Sequence, residues 1–266
     1  MSNQSIDFVL LIPCYNNSEG LIASLKSVVY TEGKYEILIV DDGSSSPISE
    51  ENLKMDFPAM IIRVIRLEFN QGIVNALNTG LIALNKRSDV KYIARLDAGD
   101  LCDERRFYKQ VDFLDKYPEI ALLATWARFQ QADEKSGFDY ITQTKHENIL
   151  REMHYKCSFI HPSVMFRREI LQTVGYYPTN YPHAEDYAFF WEILKRYKGA
   201  VLPEKLIKIA YSDSNVSGKN YKIQLEARKK IVKEFGNQSL QVITSLGLLN
   251  LKLVLPRQII NWLKLF

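Results

Sequence analysis

The feature that most constrains this chain is a series of short, almost wholly apolar runs, each closed by a polar cluster and separated by helical patterns. Residues 8–12 form the first run, and 36–40, 60–67 and 92–96 follow. A run that is apolar at every position, rather than at alternate ones, has no wet face. That is what a strand covered by helices on both sides requires. Between the runs, residues 18–29 and 71–85 read as helices. In the second, Ile73, Ala76, Leu77, Leu81 and Leu84 fall on one side. Asn16 and Glu19 have capping-box spacing ahead of the first helix, and Asp103 can cap a later one that ends before Pro118. Strands and helices alternating in such short units predict an α/β fold, Rossmann-like, with a mainly parallel central sheet flanked by helices.

The second half is less regular. Residues 120–125 read as a strand, 127–144 as a hairpin or excursion, and 163–166 as extended. Helical patterns cover 147–155, 187–197 and the charged 221–235, with a polar loop at 212–220. The +3 net charge is too mild for nucleic-acid binding. Cys14, Cys102 and Cys157 have no CxxC spacing and read as reduced thiols of a cytoplasmic protein. The opening residues carry no signal-peptide pattern, and no stretch reaches the ~18 apolar residues of a spanning helix.

In such sheets ligands bind beyond the carboxyl ends of the strands. Three polar clusters stand there: Tyr15-Asn16, Asp41-Asp42-Gly43 and Asp97-Ala98-Gly99-Asp100. The last can hold Mn²⁺ or Mg²⁺ against a diphosphate, or be a plain turn built on Gly99. Asp41 can accept from a base or ribose, or close a turn. Glu185 and Asp186 can simply complement a helix N-terminus, or supply a general base to a sugar hydroxyl. The rings of Tyr176, Tyr177 and Tyr181 suit sugar stacking or a packed loop. His161 and His183 lack metal-ligand spacing and read as structural or acceptor-side residues. P-loop, G-x-S-x-G and G-x-G-x-x-G patterns are absent.

Taken in order, these pieces resemble the family 2 inverting glycosyltransferases, whose fold is GT-A. The matching segments are 11–16, 39–44, Asn70-Gln71-Gly72 with 78–81, 94–100, 161–164 and Glu185-Asp186-Tyr187. The resemblance implies a catalytic domain over 1–220, with a nucleotide-binding half at about 1–125 and an acceptor half at about 126–220, followed by a C-terminal helical extension over 221–266. It implies that Pro13, Tyr15 and Asn16 line the nucleotide pocket, that Asp41 meets the base, that Gly72 and Asn78 shape the wall and that Arg95 lies near the donor. Asp97 falls on the first carboxylate of the family's Asp-x-Asp motif and Asp186 on its catalytic base. Gly99 stands where the family usually has its second Asp, which leaves Asp100 as the other candidate metal ligand. Lys219 is the candidate for a diphosphate contact that the family often makes with His or Arg.

The implied activity is transfer of a sugar, with inversion, from a nucleoside-diphosphate sugar, a UDP-sugar first, to a glycan or lipid-linked acceptor in bacterial surface polysaccharide synthesis. Two readings compete with it: sugar-nucleotide binding without turnover, motivated by Gly99, and nucleotidyl transfer, which lacks its basic phosphate loop. Residues 235–266 contain no Asp or Glu, and Leu246, Leu249, Leu253, Ile259, Ile260, Leu263 and Phe266 recur at helical spacing around Trp262. That stretch either lies on a membrane surface, at the inner face of the plasma membrane, or docks on the core or on a second copy as a homodimer.

Overall fold

A computed structural model describes residues 5–131, 136–210 and 220–255. Within them the first half of the chain runs β1 (Ile6–Cys14), α1 (Ser18–Lys26), β2 (Tyr35–Asp41), α2 (Glu50–Asp56), β3 (Ile62–Arg66), α3 (Ile73–Asn85), β4 (Val90–Arg95), β5 (Leu101–Cys102) and α4 (Arg106–Lys116). The second half runs β6 (Ile120–Gln130), β7 (Gly137–Tyr140), α5 (His146–Glu152), β8 (Met165–Arg167), α6 (Leu171–Val174), α7 (Glu185–Leu194), β9 (Lys198–Ala210), α8 (Tyr221–Phe235) and α9 (Ser239–Val254). One sheet holds all the strands in the order β3-β2-β1-β4-β8-β6-β9-β5, with β7 on β6.

Three of the four runs, 8–12, 36–40 and 92–96, are buried on both faces, whereas 60–67, which carries Arg63 and Arg66, forms the half-exposed edge strand β3. Val9, Leu11, Leu38, Val40 and Ile93 pack into one core with Leu77 and Leu81 of α3 and Phe189 and Phe190 of α7. Their strand neighbours Phe8, Leu10, Ile12, Ile37, Ile39 and Tyr92 pack into a second core with Leu21 and Leu25 of α1 and Phe107 and Leu114 of α4. The period-2 alternation of strand side chains divides one apolar run between two cores. Gly80 lets α3 approach β1 closely. A Cβ there would lie 2.4 Å from Leu11 Cδ1.

β3, β2, β1 and β4 are parallel. β8 then pairs antiparallel with both β4 and β6, so the sheet is mixed beyond β4. β6 and β7 form the expected hairpin. The thirteen-residue β9, parallel to β6, has no counterpart in the sequence reading. Pro203 and Glu204 interrupt its apolar pattern, and they fall where the register jumps from Leu202 to Lys205 opposite Thr125 and Trp126. A bulge is where a strand tolerates a residue with no N–H to give. The expected capping box is displaced by one residue: Asn17, not Asn16, accepts from Gly20 N at 3.1 Å. β1 also continues past Pro13 to Cys14.

α8 and α9 form a hairpin docked on the second half. Leu225 and Val232 of α8 pack against Leu249, with Leu246 and Leu253 beside them. The Leu246–Leu249–Leu253 stripe therefore faces the protein, which is the docking alternative, as far as Val254. Ile259, Ile260, Trp262, Leu263 and Phe266 lie outside the described residues. Among the described residues, no helix is long and apolar enough to cross a membrane.

Candidate functional site

The carboxyl ends of β1, β2 and β4 come together because the three strands are neighbours in parallel register, with Cys14 opposite Asp41 and Leu11 opposite Arg95. The loops beyond them are tied to one another. Asn16 N donates to Ser44 Oγ at 2.9 Å, and Ser45 N donates to Asn16 Oδ1 at 2.8 Å. Asn17 Nδ2 donates to the Ala98 carbonyl at 2.7 Å. The buried Ser24 hydroxyl donates to the Asp100 carbonyl at 2.8 Å and accepts from Gly99 N at 2.9 Å. Tyr15, at the rim, is exposed, whereas Pro13 is buried in the strand beneath it.

Asp41 is placed differently from its expected role. It has no exposed surface, and its carboxylate accepts from Ser44 N at 2.9 Å, Ile48 N at 3.2 Å and Arg66 Nη1 at 2.6 Å. Burial alone would raise its pKa, but these donors win and hold it below the usual carboxylate value. With both oxygens engaged by its own chain, Asp41 shapes the loop rather than presenting a free carboxylate to a base. Its neighbour Asp42, to which the sequence assigns no role beyond the turn cluster, organises the opposite wall. It accepts from Asn70 Nδ2 at 3.0 Å, Gln71 N at 2.8 Å and Gly72 N at 2.9 Å. Gly43 makes this possible: at φ 70°, a Cβ would lie 2.4 Å from the Phe69 carbonyl carbon.

Arg95 is buried, and its guanidinium donates to Asp97 Oδ1 at 2.6 Å. A second buried arginine, Arg106, donates to the Arg95 carbonyl at 2.8 Å and fixes the strand end. Burial works to raise the Asp97 pKa, but the Arg95 charge holds it below the ordinary value. Asp100 is only 5% exposed and accepts from Ala210 N at 3.2 Å. Burial, then the charge of Asp97, pushes its carboxyl up to about 8. A metal at this edge would be held through Asp97, which is half-buried, with Asp100 beside it. A divalent cation there would displace the proton that burial leaves on Asp100, because a ligating carboxylate is ionised. At Gly99 a Cβ would meet only Asn17 Nδ2, at 3.4 Å, but the backbone sits at φ 109°, where an L side chain is strained, so this turn is built for glycine rather than for the family's second Asp. Among the described residues, no three His, Cys, Asp or Glu side chains converge as a metal cage, so a cation would need donor oxygens.

The base candidates arrive from the other half. Glu185 and Asp186 occupy the first turn of α7, whose remaining residues are anchored by Tyr187, Phe189, Phe190 and Trp191 in the core. Asp186 Oδ1 accepts from Tyr187 N at 2.7 Å. Burial and then the Glu185 charge push its carboxyl from 3.8 to about 7, and burial also raises Glu185. Arg95 acts electrostatically on both, which links the two halves of the site.

His183, two residues ahead, has φ 61°, and its carbonyl accepts from Gln224 Nε2 of α8 at 2.9 Å. His161 is held neutral, its pKa pushed to about 3 by burial and then by Arg95. Its Nε2 bonds the Tyr177 hydroxyl at 2.9 Å. Asn78 clamps the Tyr177 backbone on both sides, at 2.8 and 2.9 Å, so it acts on the site through Tyr177 and His161. Tyr177 and Tyr181 are buried, which makes the tyrosine-rich segment a packed loop rather than a stacking platform. Lys219 lies outside the described residues. Ser24, Asp42, Arg106 and Gln224 were not legible as site residues. Only Asp42 had a local signal, its place before the turn glycine.

A family model described as "Glycosyl transferase family 2" matches residues 9–175. The chain is 27% identical over 212 residues to the bifunctional glycosyltransferase pgtA of Dictyostelium discoideum, a match over 68% of this chain and 27% of that protein. It is 29% identical over 241 residues to the amylovoran biosynthesis glycosyltransferase AmsE of Erwinia amylovora, covering 86% of this chain and 88% of the relative. The S. aureus TarS 1–349 structure in complex with UDP-GlcNAc superposes with TM-score 0.65 at 16% identity, over 91% of this chain and 70% of that one. The Pyrobaculum calidifontis mannosyltransferase PcManGT, in complex with GDP-Man and Mn²⁺, gives TM-score 0.65 at 17% identity, over 91% and 68%.

Proposed function

The chain belongs to glycosyl transferase family 2, and from that premise we propose that it moves one sugar, with inversion, from a nucleoside-diphosphate sugar to a hydroxyl of a glycan or lipid-linked acceptor in bacterial surface polysaccharide synthesis. The observation that carries this reading is Asp186. It is a half-buried carboxyl brought to about 7 at the mouth of a core-anchored helix, within the field of Arg95. A base that titrates near the working pH combines sufficient basicity with a sufficient ionised fraction. The acceptor oxygen attacks the anomeric carbon opposite the departing diphosphate. The new C–O bond forms as the old one breaks, and the acceptor proton passes to the Asp186 carboxylate. One base and one displacement give inversion.

The loops held by Asp41, Asp42 and Asn16 form the nucleotide side in this reading, with Tyr15, Gly72 and Arg95 toward the donor. Glu185, His161 and His183 stand on the acceptor side, and the two halves divide near residue 125. A Mn²⁺ or Mg²⁺ held by Asp97, with Asp100, would neutralise charge on the leaving diphosphate. The UDP-GlcNAc complex among the structural neighbours supports a UDP-sugar donor, and the amylovoran relative supports a polysaccharide setting. The three free cysteines suit a reducing cytoplasm.

The test is a panel of UDP- and GDP-sugars assayed for Mn²⁺-dependent release of nucleoside diphosphate. Asp186→Asn should keep donor binding and lose transfer, and normal transfer by that variant would remove Asp186 as the base. Asp97→Ala should weaken Mn²⁺-dependent donor binding. Unchanged metal dependence in both Asp97→Ala and Asp100→Ala would exclude this pair.

A further inference from the structure

α9 has two unlike faces. Leu249 is buried and Leu246 and Leu253 pack with it against α8, while Ser245 and Lys252 also turn into the protein. The opposite face carries Leu240 at 71% exposure, Ile243 at 68%, Leu251 at 43% and Val254 at 82%. Gly247, also exposed, lies between them. Their spacing puts all five on one stripe of the helix. An exposed helix face normally carries solvated charge, and this one has none.

The surrounding charge is one-sided. No Asp or Glu occurs from Phe235 to Phe266, and the same stretch goes on to Arg257, Trp262 and Lys264. α8, alongside, carries five basic and two acidic residues, with Lys222, Lys230 and Lys233 exposed together with Glu226 and Glu234. An uncharged apolar stripe on a helical hairpin with a net surplus of cations is complementary to an anionic lipid interface. Four side chains are too few for the ~800 Å² per partner that a stable dimer buries.

We propose that the Leu240–Ile243–Leu251–Val254 face of α9 lies in the plane of an anionic membrane surface and holds the enzyme there. This goes beyond the transfer reading and does not depend on it. The helix lies in the interface, since it is not long and apolar enough to span.

The experiment is co-sedimentation of the full chain with phosphatidylcholine vesicles and with phosphatidylcholine–phosphatidylglycerol vesicles. The wild type is compared with Ile243→Glu/Val254→Glu and with a control, Met55→Glu, placed on an equally exposed apolar residue of α2. The wild type and the control should bind the anionic vesicles, and the double variant should bind them roughly tenfold more weakly or worse. Equal binding by the double variant overturns the proposal, as does wild type that ignores both vesicles or binds both alike. Thermal melting and sedimentation velocity run in parallel. A large fall in the double variant's melting temperature would show the face covered by its own chain. Loss of a dimer with vesicle binding intact would show it covered by a second copy. Either result also overturns the proposal.

Discussion

Replacing Asp186 by Asn removes a carboxyl group whose neutral form the fold favours, so the variant that abolishes transfer should also be the more stable protein, at one end of the pH scale only. In the unfolded chain Asp186 ionises near 3.8, and in the folded one near 7. Between those values the folded state binds more protons than the unfolded state, so stability falls as pH rises through the window and is flat above it. A displacement of that size corresponds to about 4 kcal/mol as an upper bound. Asp186 is only half-buried and shares its shift with Glu185. Solvent screening and that coupling reduce the usable part to about 1–2 kcal/mol. Near pH 4 the wild type and Asp186→Asn should therefore melt together. At pH 8 the variant should melt higher, by roughly 2–6 °C for a chain of this size. The assay is thermal unfolding by circular dichroism at several pH values in low salt. The wild-type transfer rate should rise through pH ~7 as the base ionises. An offset in melting temperature that is the same at pH 4 and pH 8, or a variant less stable at pH 8, would refute the placement of Asp186 in a carboxylate-hostile environment.

Two further perturbations test how the site is held. Gly43→Ala puts a Cβ 2.4 Å from the Phe69 backbone at a left-handed φ. It should cost about 2–4 kcal/mol in urea unfolding and weaken nucleotide binding, and unchanged values of both would remove the loop contact as a constraint. Gln224→Ala removes the donor to the His183 carbonyl. It should lower kcat about fivefold with the donor KM unchanged, the equivalent of one hydrogen bond of about 1 kcal/mol. Gln224→Glu, which keeps the shape and loses the donor, should fall as far. Full activity in the Glu variant would show that the bond does not position the base.

By itself the sequence determined the doubly covered strands, because a run such as Val9-Leu10-Leu11 can be buried only between two helical layers. It also determined the polar clusters at their ends and the place of Asp186 at the start of α7, since those follow from local composition and from an ordered motif set. What tertiary structure alone decided is how each carboxylate is used. Asp41 and Asp42 are adjacent and chemically alike, yet one is filled by Ser44, Ile48 and Arg66 and the other by residues 70–72. Asp97 and Asp100 are three residues apart, yet Arg95 holds one charged and burial holds the other neutral. β9 and the docking face of α9 were settled in the same way. Pro203 hid a strand that pairing with β6 and β5 stabilises, and Leu246, Leu249 and Leu253, which suited a membrane or a core equally, pack on α8. Hydrogen-bond donors and burial come from partners distant in sequence, so residue identity fixes what a group can do and the fold chooses which of those things it does.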